Sequence, residues 1–198
     1  MLNTLWRNYP ELRVCEGDLL AAVDALTGTF ARGGKLLLCG NGGSASDCEH
    51  IVGELMKGFL SPRAVDDPRL PPGLARHLQG ALPAISLTGG GALPTAFAND
   101  VDPEYVFAQQ LYGLARPGDA LLALSTSGNA RNVCRAAELA RALGLTVLGM
   151  TGETGGALTP LCDICLRAPV HETYRVQEYH LPLYHALCAE VERRMFGG

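Results

Sequence analysis

The chain carries little charge and nowhere concentrates it. Asp, Glu, Lys and Arg make up 18% of 198 residues, the net charge is −4, and there is no basic run. A nucleic-acid footprint needs clustered Lys and Arg, so that class of partner is excluded. Any phosphate-bearing ligand must instead be held largely by backbone amides and hydroxyls. No apolar run approaches the ~20 residues of a membrane span, and the opening MLNTLWRNYPELR has no apolar signal core. Cysteine occurs seven times, an odd number without framework spacing. Cytoplasm, with no membrane partner, is the expected location. Most of the cysteines, such as Cys39, Cys134 and Cys188, read as small buried hydrophobes. Cys162 and Cys165 form a CxxC, but on a regular strand their sulfurs would face opposite ways and could not share a metal.

What is present is apolar and glycine-rich: 47% hydrophobic residues and 24 glycines. That composition fits one tightly packed α/β domain whose surface is partly covered by other subunits. The informative stretch is Leu36–Leu55, LLLCGNGGSASDCEHIVGEL. A short buried strand, Leu36–Cys39, runs through the polar turn Gly40–Ser44 into a helix. Such a turn gathers backbone N–H groups and the positive helix end around one pocket, whose natural guest is a phosphate. On the same helix His50 and Glu54 are four residues apart and share a face.

Along the rest of the chain, an apolar stripe after Pro10 predicts a helix to about Ala31, the main part of an N-terminal helical segment over 1–32. The helix after Ser44 is expected to reach about Leu60. Residues 61–80 hold four prolines and form an insertion, either a lid or a solvated loop, with a short helix over Gly73–Gln79. Further strands are expected at Pro83–Leu87, Ala120–Leu124, Thr146–Met150 and Ile164–Leu166. A helical stretch to Ala98 is interrupted by Asn99-Asp100, and Asp102-Pro103 opens another helix, to about Leu114. Ser125–Asn129 is a second polar turn leading into a helix over Ala130–Leu143. The last helix spans about Thr173–Met195, with a kink expected at Pro182. Strands that are near-continuous apolar runs alternating with helices mean a parallel sheet covered on both faces. Right-handed crossovers place the polar turns at the carboxyl ends of the strands, where such sheets bind ligands.

The candidate residues follow. Asn41, Gly42, Gly43 and Ser44 with Ser125, Thr126 and Ser127 offer amides and hydroxyls for a phosphorylated sugar. Helix capping is the alternative role of Thr126 and Ser127. The spacing of His50 and Glu54 suits metal chelation, acid–base work or an ordinary helix-surface hydrogen bond. Gln177, Glu178, His180 and His185 line up along the last helix. Asn99 and Asp100 are either turn residues or contacts to sugar hydroxyls.

The motifs CGNGGSASDCEH…E (Cys39–Glu54), AND (Ala98–Asp100), LSTSGN (Leu124–Asn129), LTVLGMTGETGG (Leu145–Gly156) and RVQEYHLPLYH (Arg175–His185) together resemble the sugar isomerase (SIS) superfamily, within it the phosphoheptose isomerases. The resemblance implies a five-stranded, flavodoxin-like α/β/α sandwich and a ketose–aldose isomerase acting on sedoheptulose 7-phosphate through an enediol. It also implies a cytoplasmic homotetramer with active sites at subunit interfaces and zinc held by His50, Glu54, Gln177 and His185. Glu54 and His185 would be the base and acid. Asn41, Gly42, Gly43 and Ser44 would line the pocket, Asn99 and Asp100 would lie near the sugar, and Ser125, Thr126 and Ser127 at the phosphate. Gln177 and His185 are separated by roughly 12 Å of helix rise and about 80°, so either the Pro182 kink brings them together or different subunits supply them. The family serine after STSGN is Ala130 here, and its acidic residue before the glutamine is Tyr174, for which Glu172 is a substitute. Two other readings share these motifs. One is a non-catalytic regulatory tetramer of the replication-initiator-associating type, which tends to lose the histidine found here as His185. The other is a protein for a different phosphosugar.

Overall fold

The computed structural model describes residues 1–197. Its five strands, β1 (Leu36–Cys39), β2 (Ala84–Ser86), β3 (Ala120–Leu124), β4 (Thr146–Gly152) and β5 (Ile164–Ala168), form one parallel sheet in the order β2-β1-β3-β4-β5. The helices are α1 (Leu2–Asn8), α2 (Glu16–Ala31), α3 (Gly43–Met56), α4 (Pro72–Ala75), α5 (Ala92–Asp100), α6 (Val106–Leu114), α7 (Arg131–Ala142) and α8 (Thr173–Phe196).

The three layers follow from period-2 alternation in strands buried on both faces. From β1, Leu36 and Leu38 enter one core and Leu37 and Cys39 the other; β3 divides Ala120, Leu122 and Leu124 from Leu121 and Ala123 in the same way. The first core is closed by α2, α3 and α8, the second by α6 and α7. At the amino ends of β1 and β3, the buried Asp119 accepts from Lys35 N (2.9 Å), Lys35 Nζ (2.5 Å) and Arg116 N (2.7 Å). That fixes the two strands side by side. The chain leaves β1 for β2 and returns on β1's other side as β3, so the order reverses between β1 and β3. The carboxyl ends of those two strands are where this topology places a ligand.

Several boundaries differ from expectation. The N-terminal segment is not one helix: α1 ends at Asn8, a 3₁₀ turn covers Pro10–Cys15, and α2 begins at Glu16. Pro10 is the reason, since the residue before a proline is pushed out of the helical region and Tyr9 sits at φ −135°, ψ 68°. Helix α3 stops at Met56 because Lys57 is extended (φ −139°, ψ 177°). Asn99 and Asp100 do not interrupt a helix but form the last turn of α5. The short helix of the insertion is Pro72–Ala75. The last helix, by contrast, is the single element expected, Thr173–Phe196 with Pro182 inside it.

Candidate active site

At the end of β1, Gly42 takes φ +56°, a left-handed conformation that glycine adopts without strain, and α3 starts at the next residue. At the end of β3 the turn closes on Gly128 (φ +67°), whose Cα lies so close to the Gly155 carbonyl that a side chain would collide with it. The two turns face each other across a cavity of ≈ 320 Å³ lined by Asn41, Gly42, Gly43, Ser44, Leu124, Ser125, Thr126, Ser127, Ala130, Thr173 and Gln177. That volume lies at the low end of small-molecule sites, about 300–1,000 Å³. The amino ends of α3 and α7 border it, so it favours an anion. Ser127 Oγ accepts from Asn129 N at 3.1 Å and Ser125 Oγ from Ala130 N at 3.4 Å, which leaves both hydroxyl protons to donate. Asn41 and Asn132 exchange two hydrogen bonds of 2.9 Å and tie the turns together. Larger cavities inside the insertion (≈ 740 Å³) and between α5, α6 and α7 (≈ 530 Å³) contain no histidine, cysteine or glycine-rich turn.

The second half of the site is a cluster on the facing sides of α3 and α8. His50 Nε2 is 3.1 Å from Glu54 Oε1 and 3.4 Å from His185 Nε2. Among the described residues, these three form the one group of His, Cys, Asp or Glu side chains whose ligand atoms all lie within 4.8 Å of one another. Tyr184 Oη is 3.0 Å from His50 Nδ1 and 3.3 Å from Asp47 Oδ1. A carboxylate only accepts, so the phenol proton goes to Asp47 and the phenol oxygen receives the Nδ1–H of His50. His50 Nε2 is then a bare lone pair facing a carboxylate oxygen and a second imidazole nitrogen. In the tautomer that bares its own Nε2, His185 adds a third acceptor to that group, and the resulting donor set (two imidazoles and a carboxylate) suits a cation such as zinc. Glu54 Oε2 is buried without a hydrogen-bond partner. Burial, and then His50, hold the His185 pKa below its ordinary value against the opposing pull of Glu54. Burial, and then the Asp47 charge, push Tyr184 well up, so it stays a phenol.

The remaining expected residues fall in three places. Gln177 lies over the cavity, its amide so close to Gly43 that a side chain there would collide with it. Asn99 and Asp100 are exposed at the end of α5, hydrogen-bonded to each other at 2.8 Å, and do not line the cavity. Ala130 lines it as the uncapped residue before α7, while Glu172 and Tyr174 are exposed. The CxxC departs from its expected geometry. Cys162 follows the 3₁₀ turn Thr159–Leu161 and precedes β5, so strand alternation does not apply to it. Both sulfurs converge on Gly149, at 2.6 and 3.0 Å from where a Cβ would stand. The closeness of the two thiols lowers the pKa of Cys165 and raises that of Cys162. Asn132, Thr173, Asp47 and Tyr184 were not singled out from the sequence. The signal for the last two was their spacing: Asp47 is one helical turn before His50 and Tyr184 is adjacent to His185.

The chain as a whole matches known proteins. The SIS domain family model matches residues 13–152, and the chain belongs to that family. A phosphoheptose isomerase of Roseiflexus sp. (strain RS-1) is 42% identical over 178 residues, 90% of this chain and 82% of that protein. The phosphoheptose isomerase of Akkermansia muciniphila is 37% identical over 191 residues, 96% of this chain and 93% of that one. The solved phosphoheptose isomerase GmhA from Neisseria gonorrhoeae superposes with a TM-score of 0.79 at 30% identity, covering 96% of this chain and 94% of that chain. Within the SIS family the chain falls in the phosphoheptose isomerase branch and is an isomerase.

Proposed function

We propose that the chain interconverts sedoheptulose 7-phosphate and D-glycero-D-manno-heptose 7-phosphate. The observation that carries this reading is the pairing of an anion cradle at the β1/β3 switch point with the convergent His50, Glu54 and His185. The hydroxyls of Ser44, Ser125, Thr126 and Ser127, with the N–H groups of Thr126 and Ser127, hold the phosphate, since the N–H groups of Ser44 and Ser125 already donate to Asn41 and Met150 carbonyls; Asn41, Gly42 and Gly43 border the sugar. Glu54 takes a proton from C1 of the open-chain ketose while His185 gives one to the C2 oxygen. The resulting enediol collapses to the aldose when a proton returns to C2 and one leaves the C1 hydroxyl. His50, Glu54, His185 and the side-chain oxygen of Gln177 are the proposed holders of zinc. When bound, zinc polarises the sugar carbonyl and offsets the charge that develops on its oxygen. Tyr184 and Asp47 hold the His50 tautomer that this requires.

A homotetramer with shared sites, acting in the cytoplasm, completes the reading. Helix α5 has no buried residue within the chain and exposes Leu93, and Val101 follows it at 67% exposed. A second copy covering α5 would bury those side chains and bring Asn99 and Asp100 to a neighbour's sugar.

The test is His185→Gln. Turnover of sedoheptulose 7-phosphate falls by about 10³-fold while the oligomer, followed by native mass spectrometry, stays intact. Undiminished heptulose conversion in that variant contradicts the proposal.

A further inference from the structure

We infer that Arg63 and Glu192 are positioning residues for the reaction proposed above, forming a buried staple that sets the spacing between Glu54 and His185. The inference rests on that functional reading, and its geometry is independent of the cavity. Arg63 opens the 61–80 segment and Glu192 lies near the end of α8, yet their side chains are 0% and 3% exposed and meet at 2.7 Å (Nε to Oε1). Arg63 then caps the carboxyl end of α3, where helical carbonyls lack partners. Its Nη2 donates to the Glu54 carbonyl at 3.0 Å, and its Nη1 to the Leu55 carbonyl at 2.6 Å and the Gly80 carbonyl at 3.3 Å. The Phe196 ring covers the guanidinium, 4.8 Å from Cζ to the ring centroid. Arg63 does this from φ +44°, the one non-glycine positive φ among the described residues. A non-glycine residue held in that strained region is fixed by its surroundings and is not free to wander.

Glu192 completes the link to the other catalytic group. Its carboxylate accepts from Phe59 N at 2.8 Å and Leu60 N at 2.7 Å, fixing the chain just beyond α3. The ring of Phe59 lies against the His185 imidazole, with centroids 5.6 Å apart and planes inclined at 36°. Glu192 is itself seven residues, or two turns, beyond His185 on α8. One ion pair thus holds the backbone carbonyl of Glu54 through its arginine and a ring packed on His185 through its carboxylate. Neither residue lines the phosphate cavity. The neck of the insertion belongs to the frame of the site whatever the rest of residues 61–80 does.

The test uses the full chain with Arg63→Lys, Glu192→Gln and the doubly neutral Arg63→Gln/Glu192→Gln, each assayed below its own unfolding midpoint with saturating zinc. Positioning predicts kcat for sedoheptulose 7-phosphate down by about 10–100-fold, since a misplacement of about 1 Å costs on that order. It also predicts a zinc dissociation constant, read by competition with a chelating dye, at least about tenfold weaker. KM, and the thermal shift given by inorganic phosphate, stay within about threefold of wild type because the cradle is not touched. Arg63→Lys retains more activity than the doubly neutral variant, because an ammonium keeps the pair but not the fork. A lowered unfolding midpoint with kcat and zinc affinity both within about threefold of wild type overturns the inference. The doubly neutral variant, which leaves no buried charge unpaired, decides where a single substitution unfolds. A wild-type chain that leaves the heptulose unchanged overturns the functional reading instead, and zinc affinity then judges the staple alone.

Discussion

At the scale of single residues, the site depends on hydrogens being in the right places. Tyr184 has one proton and two neighbours, and its donation to Asp47 leaves the Nε2 lone pair of His50 free to accept. Tyr184→Phe is expected to weaken zinc binding by about tenfold and to lower stability by about 1 kcal/mol, because the half-buried Asp47 loses its donor. Dye competition and urea denaturation read the two effects separately. Ala130 offers the opposite kind of change. It precedes α7 with no side-chain cap and faces the cavity, so Ala130→Ser should add about 1 kcal/mol of stability as an N-cap and lower KM for the phosphorylated substrate. A raised KM or a lower melting temperature would contradict that. Of these residues, His50 and Glu54 were legible in the sequence because both lie on one helix, where spacing is geometry. Asp47 and Tyr184 carry only the weak local signal of lying near His50 and His185, because the bond that gives them a role joins α3 to α8 across 137 residues.

At the scale of elements, the strand–turn–helix units could be read almost completely. Their apolar runs and glycine turns are local signals, and the sheet they predict is the one observed. The failures lie where a neighbour decides the outcome: Pro10 splitting the N-terminal segment, Lys57 extending the chain before the expected helix end, and the sulfurs of Cys162 and Cys165 meeting over Gly149. Arg63 was passed over for the same reason, since a charged residue in a proline-rich stretch looks solvated until Glu192 is placed beside it. Gly43 tests the element-level account of the cradle. It opens α3 where Gln177 closes over it, and Gly43→Ala should displace the Gln177 amide. The expected result is kcat/KM lower by about tenfold, with little change in the urea midpoint. Unchanged kinetics would show that the position of Gln177 does not matter.

At the scale of the whole molecule, stability is linked to pH through the middle of α8. His180 is fully buried, shares a hydrogen bond of 3.2 Å with the Thr151 carbonyl, and leaves Nδ1 without a partner. Burial depresses its pKa from 6.5 to about 4. Between those values the unfolded chain binds a proton that the folded chain does not, so this contribution is complete above pH 6.5 and is lost as pH falls toward 4. The loss is on the order of 3 kcal/mol. Urea denaturation at intervals from pH 7 to pH 4.5 should follow that decline, and His180→Leu should flatten it; a slope equal to wild type would assign the loss to other groups. The central claim concerns the molecule as a whole: one end grips a phosphate while a cation-bearing cluster at the other moves a proton. The most direct measurement is NMR of sedoheptulose 7-phosphate incubated with the purified chain in deuterated water, with zinc, with a chelator, and with zinc restored. The prediction is that the aldose heptose 7-phosphate forms carrying deuterium at C2, that the chelator stops it, and that zinc revives it. No aldose in the presence of zinc, or undiminished conversion under chelation, would contradict the claim.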